Sequence, residues 1–102
     1  MKAEYVALVD LILSRGHYIS VHTGGDEPDV IKSNNRAEIL EAIESVDMAE
    51  ITVFVKRSGD GWSRYEPVFW AMIIPFGVAP DETVADYLDN GYYTSVIADG
   101  GV

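Results

Sequence analysis

The sequence predicts an α+β fold: a single domain over residues 1–102, in the order α-β-β-α-β-β-α, with an antiparallel four-stranded sheet packed by helices. Three observations carry this. Segments with helical apolar spacing alternate with segments of strand spacing. Ser58-Gly59-Asp60-Gly61 is a strong hairpin turn between two of the strand segments. A chain of 102 residues with 48% hydrophobic content builds one modest core, not two.

The first element is a helix from Lys2 to Arg15. Tyr5, Val6, Leu8, Val9, Ile12 and Leu13 form its apolar stripe, Asp10 and Ser14 lie on a more polar one, and Gly16 supplies a stop. His17 to Thr23 alternates Ile19 and Val21 with Tyr18, Ser20 and His22, the period of a strand. Gly24 to Pro28 breaks it. A short strand follows from Asp29 to Lys32, and Asn35 with Glu38 three residues later resembles a capping box opening a second helix. Ile39, Leu40, Ile43 and Val46 form that helix's apolar face; Glu38, Glu41 and Glu44 form its solvated side.

From Glu50 to Arg57, Ile51, Val53 and Val55 alternate with Thr52, Phe54 and Lys56, a half-buried strand. The hairpin returns the chain through Trp62 into a run from Tyr65 to Ile74, where Pro67 cannot donate a ladder bond and predicts a bulge or an edge. Every residue from Val68 to Ile74 is apolar, so both faces of this strand need cover. Phe69, Ala71 and Ile73 lie on one face. Val68, Trp70, Met72 and Ile74 lie on the other, which is expected to meet either the amino-terminal helix or another subunit, making the chain a candidate homo-oligomer. Pro80, with Asp81 and Glu82 behind it, is expected to open a last helix reaching about Asp89, stopped by Asn90-Gly91. A helical turn is expected from Ser95 to Ala98.

The charge balance is the strongest pointer to function. Asp and Glu number 17 against 7 Lys and Arg, a net of -10. A surface this negative attracts basic proteins or cations and disfavours nucleic acid and anionic lipid, so neither direct nucleic-acid binding nor a membrane partner is expected. The imbalance is uneven: residues 65–102 carry 6 acids and no base. On the expected last helix Glu82, Asp86 and Asp89 share one stripe, with Tyr87, Tyr92 and Tyr93 beside it, a surface suited to docking on a basic, partly apolar partner.

Other candidate chemistry is sparse. There is no cysteine, which excludes disulfides, thiolate metal sites and thiol nucleophiles and fits a cytoplasmic protein. The apolar start from Tyr5 to Leu13 is interrupted by Asp10, lacks a cleavage pattern and is too short for a membrane span. Gly24-Gly25-Asp26-Glu27 is similar to four of the five letters of the diguanylate cyclase signature, with Pro28 where that family has an aromatic; a Gly- and Asp-rich turn between strands accounts for the same residues. His22 with Asp26, Glu27 or Asp29 lacks the ligand spacing of a metal site. Ser20 near His22 is the only local hint of a nucleophile, and Glu66, before the apolar run, is the best candidate for a perturbed carboxylate. Lys56, Arg57 and Arg64 converge on the hairpin arms and with Trp62 form a small basic patch.

These observations lead to the expectation of a small acidic non-catalytic protein without a cofactor or metal, docking its negative face on a basic protein. In size and charge it looks like inhibitor and immunity proteins and nucleic-acid mimics, including those of phages and mobile elements. The alternative expectation is a structural or assembly subunit that self-associates through Val68, Trp70, Met72 and Ile74.

Overall fold

The computed structural model describes residues 3–76 and 79–88. They form an α+β fold in which two helices lie on one face of an antiparallel five-stranded sheet of order β2-β1-β3-β4-β5. The elements are α1 (Glu4–Ser14), β1 (Tyr18–His22), β2 (Val30–Ser33), α2 (Arg36–Glu44), β3 (Ala49–Gly59), β4 (Trp62–Ile73), a 3₁₀ turn (Pro80–Glu82) and β5 (Val84–Tyr87). Among the described residues no helix is long and apolar enough to cross a membrane.

The helix ends follow from their sequences. Gly16 takes the left-handed conformation at φ 76°, and the bonds from Gly16 N–H to the Leu13 carbonyl and from His17 N–H to the Ile12 carbonyl close α1 in a Schellman motif. At the start of α2 the Asn35 side chain accepts from Glu38 N–H at 3.2 Å. The reciprocal half of the expected capping box is relayed through Ser33, whose hydroxyl accepts from Asn35 N–H at 3.0 Å and donates to the Glu38 carboxylate at 3.1 Å.

The hairpin between β3 and β4 turns at Asp60-Gly61, with Gly61 at φ 75°. Pro67 sits beside a bulge: Val53 pairs with Phe69 and Phe54 with Pro67, so Val68 is the extra residue. The core lies between the sheet and the helices. Tyr5, Leu8, Val9 and Ile12 of α1 and Ile39 and Ile43 of α2 pack on Ile19, Val21, Ile51, Val53, Phe69, Ala71 and Ile73.

The region after Pro80 differs from expectation. The helix expected from Pro80 to Asp89 is a single 3₁₀ turn followed by β5, which pairs Tyr87 with Ala71, Asp86 with Met72 and Val84 with Ile73 along the free edge of β4. A short isolated helix carrying like charges four residues apart is marginal. Edge pairing instead satisfies backbone groups of β4 and of Ile74 just past it, as in the bonds from Ile74 N–H to the Thr83 carbonyl and from Leu88 N–H to the Trp70 carbonyl, and buries Val84. The sheet therefore has five strands, and the order is α-β-β-α-β-β-β. Asp89, Asn90-Gly91, Tyr92, Tyr93 and the expected turn from Ser95 to Ala98 lie outside the described residues.

Candidate functional site

Strand register divides the sheet residues into two sets. The helices cover the inner set. Tyr18, Ser20, His22, Glu50, Thr52, Phe54, Trp70, Met72 and Asp86 belong to the outer face, on which no helix packs among the described residues. Most of these side chains are half-buried, Ser20 is buried and Asp86 is exposed.

Register also fixes which charges lie at which end of the strands. At one end His22 pairs with Glu50, Glu50 with Met72, and Met72 with Asp86. The same end holds the loop with Asp26, Glu27 and Asp29, and the carboxyl end of α2 with Glu41, Glu44 and Asp47. Between them runs a groove of about 370 Å³ lined by Thr23, Asp29, Val30, Glu38, Glu41, Ala42 and Ser45. Thr23 hydrogen-bonds Asp29 across its mouth. The start of α1 is at this end too: Tyr5 hydroxyl donates to Glu44 at 2.5 Å, and burial, the hydrogen bond and the Glu44 charge push the tyrosine up to about 12.

The opposite end is basic. Beyond Phe54 the sheet narrows to β3 and β4, which continue as a two-stranded ribbon through Lys56, Arg57, Arg64 and Tyr65 to the turn. On its outer side Tyr18 and Tyr65 meet edge-to-face with centroids 5.2 Å apart. Lys32 Nζ lies 5.2 Å from the Phe54 ring centre and 5.7 Å from that of Tyr65, and Lys56 Nζ lies 5.9 Å from Tyr65. On its inner side Arg64 covers the Trp62 ring at 5.5 Å, and Arg57 pairs with Glu66 at 2.5 Å. The remaining described Arg residues, Arg15 at the end of α1 and Arg36 at the start of α2, also lie toward this end. Arg36 is paired with Asp10 at 2.6 Å, which raises its already high pKa.

Glu82 and Asp86 do not share a helical stripe. Glu82 is exposed on the 3₁₀ turn and Asp86 is exposed on β5, both toward the acidic end, whereas Tyr87 is half-buried against the core. Asp89, Tyr92 and Tyr93 are outside the described residues. Of the expected self-association residues, Trp70 and Met72 are half-buried on the outer face, Ile74 lies just past the strand, and Val68 belongs to the buried core at 9% exposure because of the bulge.

The catalytic hints do not converge. Glu66 is half-buried and held by Arg57 in an ion pair, the reverse of an apolar pocket. Ser20 is buried with its hydroxyl accepting from Lys32 N–H at 2.9 Å. Among the described residues no group of three or more His, Asp and Glu is placed to hold a metal ion. What sequence reasoning missed is Lys32: it reaches the aromatic cluster from the far side of β1 through a left-handed backbone at φ 44°, and no local pattern announces a contact across three strands. Comparison of the chain with protein-family models, curated proteins and solved structures finds no match.

Proposed function

We propose that this protein is a non-catalytic binding module that docks its acidic end on a basic protein, in the manner of inhibitors, immunity proteins and nucleic-acid mimics such as those of phages and mobile elements. The observation that supports the reading is the separation of charge. Asp26, Glu27, Asp29, Glu41, Asp47, Glu82 and Asp86 gather at one end of the strands, while the described Lys and Arg residues lie toward the other. Such separation is not needed for solubility, which scattered charges provide equally well. A one-signed end steers a complementary partner into one orientation and speeds encounter, and its pull falls with ionic strength. The groove beside Asp29, Glu38 and Glu41 gives that end relief into which a basic side chain fits.

The test is capture of native-cell proteins on the immobilised chain at about 50 mM and 500 mM salt, beside a variant carrying Glu27→Lys, Asp29→Lys, Glu82→Lys and Asp86→Lys. The expected result is a basic protein retained at low salt, released at high salt and absent from the variant. Equal capture by the variant overturns the reading.

A further inference from the structure

We infer that the outer face of the sheet is an interface with a second copy of this chain, the two copies packed face to face and end for end. This goes beyond the docking of a basic protein at the acidic end; of the acids named for that docking, Asp86 alone also lies on this face.

The first ground is what the face is made of. The helices occupy the inner side, yet the outer side carries Tyr18, Phe54, Trp70 and Met72 in half-buried positions. Sheets with such a surface pack against another sheet at about 10 Å, with side chains interdigitating. The area is adequate. Five strands about 4.8 Å apart, extended by the β3–β4 ribbon, offer on the order of 600 Å² per copy, the low end of a specific interface.

The second ground is charge, and it selects the occupant. A chain of net -10 is repelled by its own copy over most of its surface. The outer face is different. Its charged side chains are Glu50 and Asp86 at one end and Lys56, with Lys32 over the rings of Phe54 and Tyr65, at the other, so it is balanced. A basic partner would find no excess of acid here, and an acidic one no excess of base.

The third ground is the order of those charges. An isologous pair places the same patch on both partners. With the two-fold axis across the strands, the basic end of each copy lies over the acidic end of the other, bringing Lys56 to Glu50 twice. With the axis along the strands, like ends would meet. The face is therefore self-complementary in the end-for-end arrangement alone, and its apolar centre at Thr52, Phe54 and Trp70 lies near the axis. The loop acids Asp26, Glu27 and Asp29 stay outside the contact, so the dimer carries two acidic ends pointing in opposite directions.

The experiment is sedimentation equilibrium of the full chain from 1 to 100 µM, with Trp70→Glu, Lys56→Glu, Glu50→Lys and an equimolar mixture of the last two, each checked for native circular dichroism. The native chain is expected to dimerise with a micromolar Kd and Trp70→Glu to be monomeric. Lys56→Glu and Glu50→Lys should each dimerise at least tenfold more weakly than the native chain. Their mixture should recover dimer, because in the mixed pair both contacts between positions 50 and 56 again join opposite charges. A native monomer at 100 µM, a dimer indifferent to Trp70→Glu, or single charge variants that dimerise as the native chain does each overturn the inference. None of these outcomes bears on capture of a basic protein at the acidic end.

Discussion

Glu4 and Val84, separated by 80 positions in the chain, share a buried hydrogen bond: a Glu4 carboxylate oxygen accepts from Val84 N–H at 2.9 Å. Beside it Tyr5 N–H donates to the Thr83 hydroxyl at 3.0 Å, so the first turn of α1 and the start of β5 satisfy each other's backbone donors. Glu4 is 2% exposed. Glu4→Ala leaves the Val84 N–H without its acceptor and opens space, and is expected to cost about 2–3 kcal/mol. Glu4→Gln keeps an acceptor oxygen and should cost less. Urea denaturation of the two variants checks the order, which reverses if the carboxylate is merely a tolerated charge.

Alternation along β3 gives a second prediction. Ile51 is fully buried beneath the helices, and its neighbour Thr52 is on the outer face. Ile51→Ala is expected to destabilise by about 2–5 kcal/mol, through lost transfer energy and the cavity left behind. Thr52→Ala should cost about 1 kcal/mol or less, a β-propensity effect. Similar denaturation midpoints for the two would place both side chains in the core.

These two sites show why some of the fold was legible and some was not. Period-two alternation identified the inner residues of β1 and β3, since each side chain's face is fixed by its own strand. Gly16 and Asn35 announced caps, and Pro67 a bulge or an edge, because their constraints are local. β5 was not legible. Val84 to Tyr87 is only four residues long and lies behind Pro80-Asp81-Glu82, a good helix start, while its stabilising partners, Glu4 and the free edge of β4, are remote in sequence. The same remoteness hid the cluster of Lys32, Phe54 and Tyr65. Charge segregation was half visible: the acid-rich carboxyl-terminal third was plain, but the division of the whole molecule into ends required the register.

At the ribbon tip Gly59 pairs with Trp62, and a Cβ at Gly59 would lie 2.5 Å from the indole Nε1. Gly59→Ala must displace the ring. Trp62 is 51% exposed, so the indole has room to swing out and release Arg64 from its face. The expected outcome is a change in tryptophan emission with a stability loss of about 1 kcal/mol or less. Gly61→Ala, at φ 75°, is expected to cost about 1–2 kcal/mol through backbone strain instead. Fluorescence and denaturation on both variants separate ring displacement from strain.

Tyr5 makes stability depend on alkaline pH. Burial first, then the hydrogen bond and charge of Glu44, push its hydroxyl from 10.0 to about 12, so the folded chain holds the proton more tightly than the unfolded chain. Below pH 10 both states are protonated and the contribution is fully present. Between pH 10 and 12 the unfolded chain releases a proton that the folded chain keeps, so stability falls by up to about 1.4 kcal/mol per pH unit from this group. Tyr5→Phe removes the slope together with the bond to Glu44, at a cost of about 1 kcal/mol near neutrality. The native chain should therefore be the more stable of the two at pH 8, and its advantage should shrink or reverse by pH 11.5. Groups that titrate alike in both chains cancel in that difference, so parallel stability curves from pH 8 to 11.5 would show that the hydroxyl titrates as it does in the unfolded chain.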